Sequence, residues 1–335
     1  MAGYKLLSPS NSQQALPTNG PLPSLEPSST RRRSGSIAAA ASIITSTKTF
    51  NKSSIGIARV VLHVDEAPSW THIPFISGGY RVDHSILDAV ISLFASHQDT
   101  LNIWSHALGC AWFLRMIPLC YEKLERNEAP TLDYFLFAVF LIGATTQMFT
   151  SALYHALRCV GPKWEAALLR ADIVGILSMI GGSWVLAMGQ GFHCAPLVGS
   201  AYTVIEAALL LSSHFLGAAA VTKPHLYPYY YAVIASSVGF GAIPCTHAML
   251  TCTTSACTAS LVQAHLGMFG YYFIGFVFFI SRFPERALPR SFDIVGSSHT
   301  IWHIFVFLAG RAWLLGMLDY NSFKASQGHS RMCEV

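Results

Sequence analysis

The 335-residue chain is 52% hydrophobic and only 11% charged, whereas a soluble domain is about one quarter charged. That balance excludes an ordinary soluble protein, and a net charge of +4, much of it from Arg31, Arg32 and Arg33, gives no reason to expect nucleic-acid binding. Eight cysteines are scattered with no CxxC, so neither a zinc ribbon nor a disulfide-stapled domain is expected.

Residues 1–58 are rich in Ser, Pro and Thr and carry few aromatics. Such a segment cannot bury enough apolar surface to offset the entropy of ordering, so a disordered tail is expected. No apolar core follows a basic start, so no cleavable signal peptide is expected. Arg31-Arg-Arg-Ser34 resembles a basophilic kinase site and equally suits a solvated basic patch beside anionic lipid. Residues 59–101 form a juxtamembrane segment, in which Ser85–Phe94 has the apolar spacing of a short amphipathic helix packed on a bundle.

Seven apolar segments follow, near 102–121, 133–156, 166–189, 196–221, 227–250, 259–281 and 298–319, within a membrane domain spanning 102–320. Each approaches the roughly 20 residues that cross a hydrocarbon core. The first carries Arg115 and Pro118, the fifth Pro244 and the seventh Arg311. Residues 321–335 are left as a short tail. The fold class expected is an all-α, multi-pass membrane protein with a seven-transmembrane helix bundle.

Loop charges set the expected orientation. Arg158, Lys163, Lys223, Arg282, Arg286 and Arg290 share one side with the N-terminal tail, whereas Lys123 and Arg126 opposite are offset by Glu122, Glu125 and Glu128. Basic loops mark the cytoplasmic face, which puts the N-terminus in the cytosol and the C-terminus outside. Cys194, Cys252 and Cys257 then share the outer loops, where a disulfide from Cys194 to one of the other two is expected.

The same orientation gathers four polar groups into one layer. His155 ends the second span, Asp172 lies early in the third, and His299 and His303 open the seventh. Residues four apart share a helix face, so His299 and His303 can hold one metal ion, with His155 as a third imidazole. Zinc favours three such ligands and a fourth open position for water, although imidazole also suits copper, iron and nickel. Asp172 is placed to orient that water or accept its proton, or to support a histidine, and Ser151 shares the face of His155.

The other polar groups of the spans have plainer readings. A lone intramembrane histidine more often bonds between helices, and His106, His214, His247 and His265 are read so. Glu206 either lines a cavity or packs on a polar partner. Gly181-Gly182-Ser183 permits close helix approach. Arg115 and Arg311 are expected to snorkel, and Tyr227, Tyr229, Tyr230 and Tyr231 to form an interfacial belt.

Motifs over residues 65–318 resemble the progestin and adiponectin receptor family, related to the hemolysin III proteins. They are Ser77-Gly-Gly-Tyr-Arg81, Ser92-Leu-Phe-Ala-Ser-His-Gln-Asp-Thr-Leu-Asn-Ile-Trp-Ser-His106, Ser151-Ala-Leu-Tyr-His155, Asp172-Ile-Val-Gly-Ile176, Phe283-Pro-Glu-Arg286, Phe292-Asp-Ile294 and Ser298-His-Thr-Ile-Trp-His303. Gln98-Asp99 and Trp302 depart from the family pattern and are not expected to touch the ligands. The resemblance implies seven spans with a cytosolic N-terminus and zinc on His155, His299 and His303, with Ser151 and Asp172 beside the metal-bound water. It also implies a receptor for an extracellular protein or a steroid, or a zinc-dependent ceramidase-like amidohydrolase acting on a membrane lipid. Fungal members of the family are linked to zinc and to lipid or sterol homeostasis, which suits this tail, and the membrane is the plasma membrane or an endomembrane. The leading expectation is the lipid amide hydrolase, with Asp172 and Ser151 catalytic. The alternative is a signalling receptor in which the zinc is purely structural.

Overall fold

A computed structural model describes residues 61–252 and 254–328; the expected tail, with Arg31–Ser34, lies outside them. The described chain carries nine α-helices: α1 (Ile86–Ile91), α2 (Thr100–Arg126), α3 (Thr131–Leu157), α4 (Pro162–Gly191), α5 (Pro196–Ala220), α6 (Tyr227–Phe240), α7 (Ala242–Leu250), α8 (Ser255–Ser281) and α9 (Ser298–Gln327). Six stretches are long and apolar enough to cross a membrane, with α6 and α7 together forming one of them. The protein is therefore an integral, multi-pass membrane protein. The 27-residue α2 is equally long but carries Arg115 and the charged end Glu122–Arg126. It packs against α3 and α9 as the seventh member of the bundle.

Local chemistry explains where the helices break. Pro244 lacks an N–H, and its ring opposes the carbonyl four residues back, at Phe240. The fifth span accordingly parts at Gly241 into α6 and α7. Tyr227 and Tyr230 are three apart on one face and both are buried, packed with Tyr154, Leu169 and Ile173. Only Tyr229 of the quartet is strongly exposed, so the expected belt is mostly core.

Glycines let α3 and α4 approach closely. A Cβ on Gly143 would meet the Ser178 carbonyl oxygen at 2.3 Å, and one on Gly182 would meet the Phe140 Cα at 3.0 Å. Gly175 faces Gln147 and Thr150 in the same seam. Gly182 is thus the packing glycine of the Gly181-Gly182 pair, since Gly181 meets only the side chain of Leu210. Asp172 lies three residues before Gly175, on the α4 face that this seam turns toward α3.

A polar knot ties α3, α4 and α9 at the end opposite the histidines. Asp133 accepts from Gln190 Nε2 at 2.8 Å, Asn321 Nδ2 at 2.6 Å and Lys324 Nζ at 3.2 Å. Asp133 and His155 are 22 residues apart on α3, a helical rise of about 33 Å. Burial of Asn321 and Lys324 explains why α9 continues to Gln327, beyond the expected end of the span. Cys252 and Cys257 are joined to each other. Neither is therefore available to Cys194, whose thiol is also in a disulfide, and the expected pairing is corrected.

Removing one partner of a buried ion pair leaves the other charge uncompensated. Asp133→Ala should lower bundle stability by about 3–5 kcal/mol, read as a drop in the thermal midpoint in detergent. Adding Lys324→Met should recover most of that loss. An unchanged midpoint in the single variant would show that the knot contributes nothing.

Candidate metal centre

Among the described residues, His155, His299 and His303 form a buried group able to hold a metal ion, with candidate ligand atoms all within 4.8 Å of one another. His299 Nε2 lies 3.4 Å from His155 Nε2 and 3.1 Å from His303 Nε2. Nitrogens held about 2.0–2.1 Å from one tetrahedral zinc ion would be about 3.3 Å apart. The observed spacing therefore fits the ion.

Asp99 fixes the tautomer of the first imidazole. His155 Nδ1 lies 2.8 Å from Asp99 Oδ1, and a carboxylate only accepts. The Nδ1 therefore carries the proton and Nε2 keeps its lone pair for a metal. Burial would push the Asp99 carboxyl up, but the His155 N–H, Arg158 and Arg81 outweigh it and hold it well below the usual carboxylate range. The expectation that Asp99 stays clear of the candidate ligands is thus corrected. The available signal was its place at the foot of α2, one turn before Asn102 and two before His106.

Arg81 joins the juxtamembrane segment to the site. Its Nη2 donates to the His155 carbonyl at 2.6 Å and lies 3.4 Å from Asp99 Oδ2, while Nη1 donates to Ser92 Oγ at 2.8 Å. Gly79, at φ +84°, admits the backbone of Gln98, whose N–H donates to the Gly79 carbonyl at 3.2 Å. A Cβ there would stand 3.0 Å from the Gln98 nitrogen. His97 accepts from the Asp99 N–H on Nδ1 and faces the Ser92 carbonyl through Nε2. Burial and the Arg81 guanidinium push its pKa down to about 4, so it is neutral at pH 7.

The start of α9 is pinned on both sides of His299. Glu285 accepts from the Ser298 N–H at 2.7 Å and also takes the Ser298 hydroxyl. A carboxylate at a helix N-terminus is favoured by the exposed N–H groups and the macrodipole. Thr300 Oγ1 donates to Asn102 Oδ1 of α2 at 2.8 Å. One turn further along α2, the His106 ring stacks on His303 at 3.9 Å between centroids, with Nε2 3.3 Å from the His303 carbonyl. His106, read from sequence as a lone packing histidine, thus touches the candidate ligand set. His265 keeps its packing role, with Nδ1 at the Leu261 carbonyl and its ring against Trp313.

Asp172 and Ser151 are both buried at this end of α3 and α4. Neither Asp172 oxygen receives a well-formed hydrogen bond from the described residues, and the Ser151 hydroxyl lies beside the carboxylate. A carboxylate left so, next to a hydroxyl one turn from His155, suits a water or a polar reactant. Glu206 instead takes the Ser237 hydroxyl between α5 and α6, the second of the two roles its position allowed.

Residues 94–314 match the family described as Haemolysin-III related. Heptahelical transmembrane protein 1 of Arabidopsis thaliana is 29% identical, over 70% of this chain and 73% of its own length. The adiponectin receptor protein of Drosophila melanogaster is 30% identical, over 79% of this chain and 60% of its own. The ADIPOR-like receptor IZH2 of Saccharomyces cerevisiae is 25% identical, over 76% of this chain and 82% of its own.

Loss of a carboxylate that orients a metal-binding histidine commonly weakens the metal by about 10–100-fold. Asp99→Ala should reduce zinc affinity by that factor, measured by competition with a chromogenic chelator. Asp99→Asn, which keeps an acceptor for the Nδ1 proton, should lose less. Equal, undiminished affinity in both variants would remove Asp99 from the site.

Proposed function

We propose that this chain, which belongs to the haemolysin-III related family, holds zinc on His155, His299 and His303 and hydrolyses the amide bond of a ceramide-like membrane lipid. The observation that carries the proposal is the convergence of three imidazole Nε2 atoms, one with its tautomer set by Asp99. Three neutral imidazoles favour zinc in a catalytic arrangement with a position left open, while copper, iron and nickel accept the same donors. When bound, the metal would supply Lewis acidity, activating water and polarising the amide carbonyl.

The side chains of the chain divide the remaining work. The Asp172 carboxylate takes a proton from the attacking water and passes it to the leaving amine. A C–O bond forms at the acyl carbon, the C–N bond breaks, and a fatty acid and an amine result. The Ser151 hydroxyl donates to the carbonyl oxygen as negative charge develops there. Asp99 and Arg81 do not touch substrate; they hold His155 in position.

The names of two of these relatives, adiponectin receptor protein and ADIPOR-like receptor, favour a second reading. In it the zinc is structural, fastens α3 to α9, and the protein transmits the binding of an extracellular protein or a steroid. Zinc content and turnover in one preparation separate the two. Wild-type protein should hold about one zinc per chain, and His299→Ala or His303→Ala should lose most of it; full zinc in both variants contradicts the assignment. Asp172→Asn should keep the zinc yet lower ceramide hydrolysis by about 10²–10⁴-fold, the scale of general-base assistance. Loss of zinc in that variant would make Asp172 a ligand, and unchanged signalling without any turnover would favour the receptor.

A further inference from the structure

The short helix α1 turns its apolar side away from the bundle. Sequence spacing suggested that these residues pack inward, but only Ala89 of α1 is buried. Leu87 is 68% exposed and Phe94, just past the helix, 82%, with Ile86, Val90 and Ile91 also exposed. Asp88 is the one charged residue of α1, and its carboxylate is held in a capping box by the Ser85 hydroxyl and N–H. Five large apolar side chains on one short segment stay 46–82% exposed with the described residues in place, a concentration that marks an interaction surface.

We infer that α1 and the turn after it dock in the lipid of the bilayer interface at the metal-site end of the bundle. Continuity identifies lipid as the occupant. The Phe94 ring packs on Trp104 of α2 at 5.6 Å, and the Trp104 indole N–H donates to the Leu93 carbonyl at 2.8 Å. One turn beyond Trp104, Leu108 is exposed on a helix of the membrane bundle, followed by Leu114 and Ile117. The α1 patch thus extends the lipid-facing surface of α2, with a tryptophan at the junction, a residue suited to the boundary between headgroups and acyl chains. An amphipathic helix lying in the interface plane buries this kind of face.

The anchor is tied to the site by named bonds. The His84 N–H, just before α1, donates to the Cys159 carbonyl at 3.1 Å. Ser92, just after α1, receives the same Arg81 guanidinium that donates to the His155 carbonyl. Lipid that seats α1 therefore also seats the backbone of the first candidate ligand. The docking itself does not depend on which metal, if any, the histidines hold.

Spin labels placed one at a time by Leu87→Cys and Phe94→Cys in the full chain, reconstituted at one chain per phosphatidylcholine nanodisc, test the surface. Glu66→Cys, exposed on the polar segment, provides the water-facing reference. At positions 87 and 94 collisions with dissolved oxygen should be frequent and collisions with a water-soluble nickel chelate lost; the reference should show the reverse. Frequent chelate collisions at 87 and 94 would overturn the inference, because the patch would face water. Exclusion of both reagents would overturn it equally, since protein, such as residues 1–60 of this chain, would then cover the patch.

Discussion

Three imidazole nitrogens aimed at one point, with neighbouring pairs 3.1 and 3.4 Å apart, set the terms for everything around them. Lone pairs brought so close inside a protein are stabilised only by a shared proton or a cation between them, so their positions must be imposed by the surrounding structure. That surrounding structure is polar and largely paired. Asp99 lies against His155, Arg81 and Arg158, and Arg158 reaches Glu165 at 3.4 Å. Two guanidinium groups thus face two carboxylates. The balance allows the cluster to be buried, because an unpaired charge there would cost several kcal/mol.

The helices that bring the imidazoles and Asp172 together are also fastened at their far end. α3, α4 and α9 share the Asp133 knot, and the glycine seam keeps α3 and α4 in close contact between the two ends. Helices fixed at two levels about 33 Å apart have little freedom to tilt or slide. In contrast, α5 and α8 bury little of their apolar windows within the chain and face lipid along much of their length. The site accordingly rests on the most constrained part of the bundle, as a preorganised donor set requires.

Sequence made the grouping of the three histidines legible because two independent regularities agreed. His299 and His303 are one helical turn apart, and alternating span direction brings His155 and Asp172 to the same level. Both rest on helix geometry and span counting, which survive small errors in boundaries. Arg81 was not legible in that way, and Asp99 only through its place at the foot of α2. They reach His155 through an irregular segment whose path depends on Gly79 and on the backbone around Gln98, and spacing rules do not describe such paths. His106 was missed for a related reason. Its partner is a face of α9, and which helices become neighbours is not encoded in the periodicity of either one. The outward face of α1 and the inward turn of Tyr227 and Tyr230 share that cause. Apolar spacing marks a face only relative to its own helix and does not say whether lipid or protein lies against it.

In the proposed site the three histidines together hold one zinc ion. X-ray absorption at the zinc K-edge of the purified full chain reads that directly. The predicted spectrum has three imidazole nitrogens and one further light atom, all at about 2.0–2.2 Å, with no sulfur. Loss of the multiple-scattering signature of three imidazoles, or a shell containing sulfur at about 2.3 Å, would contradict it.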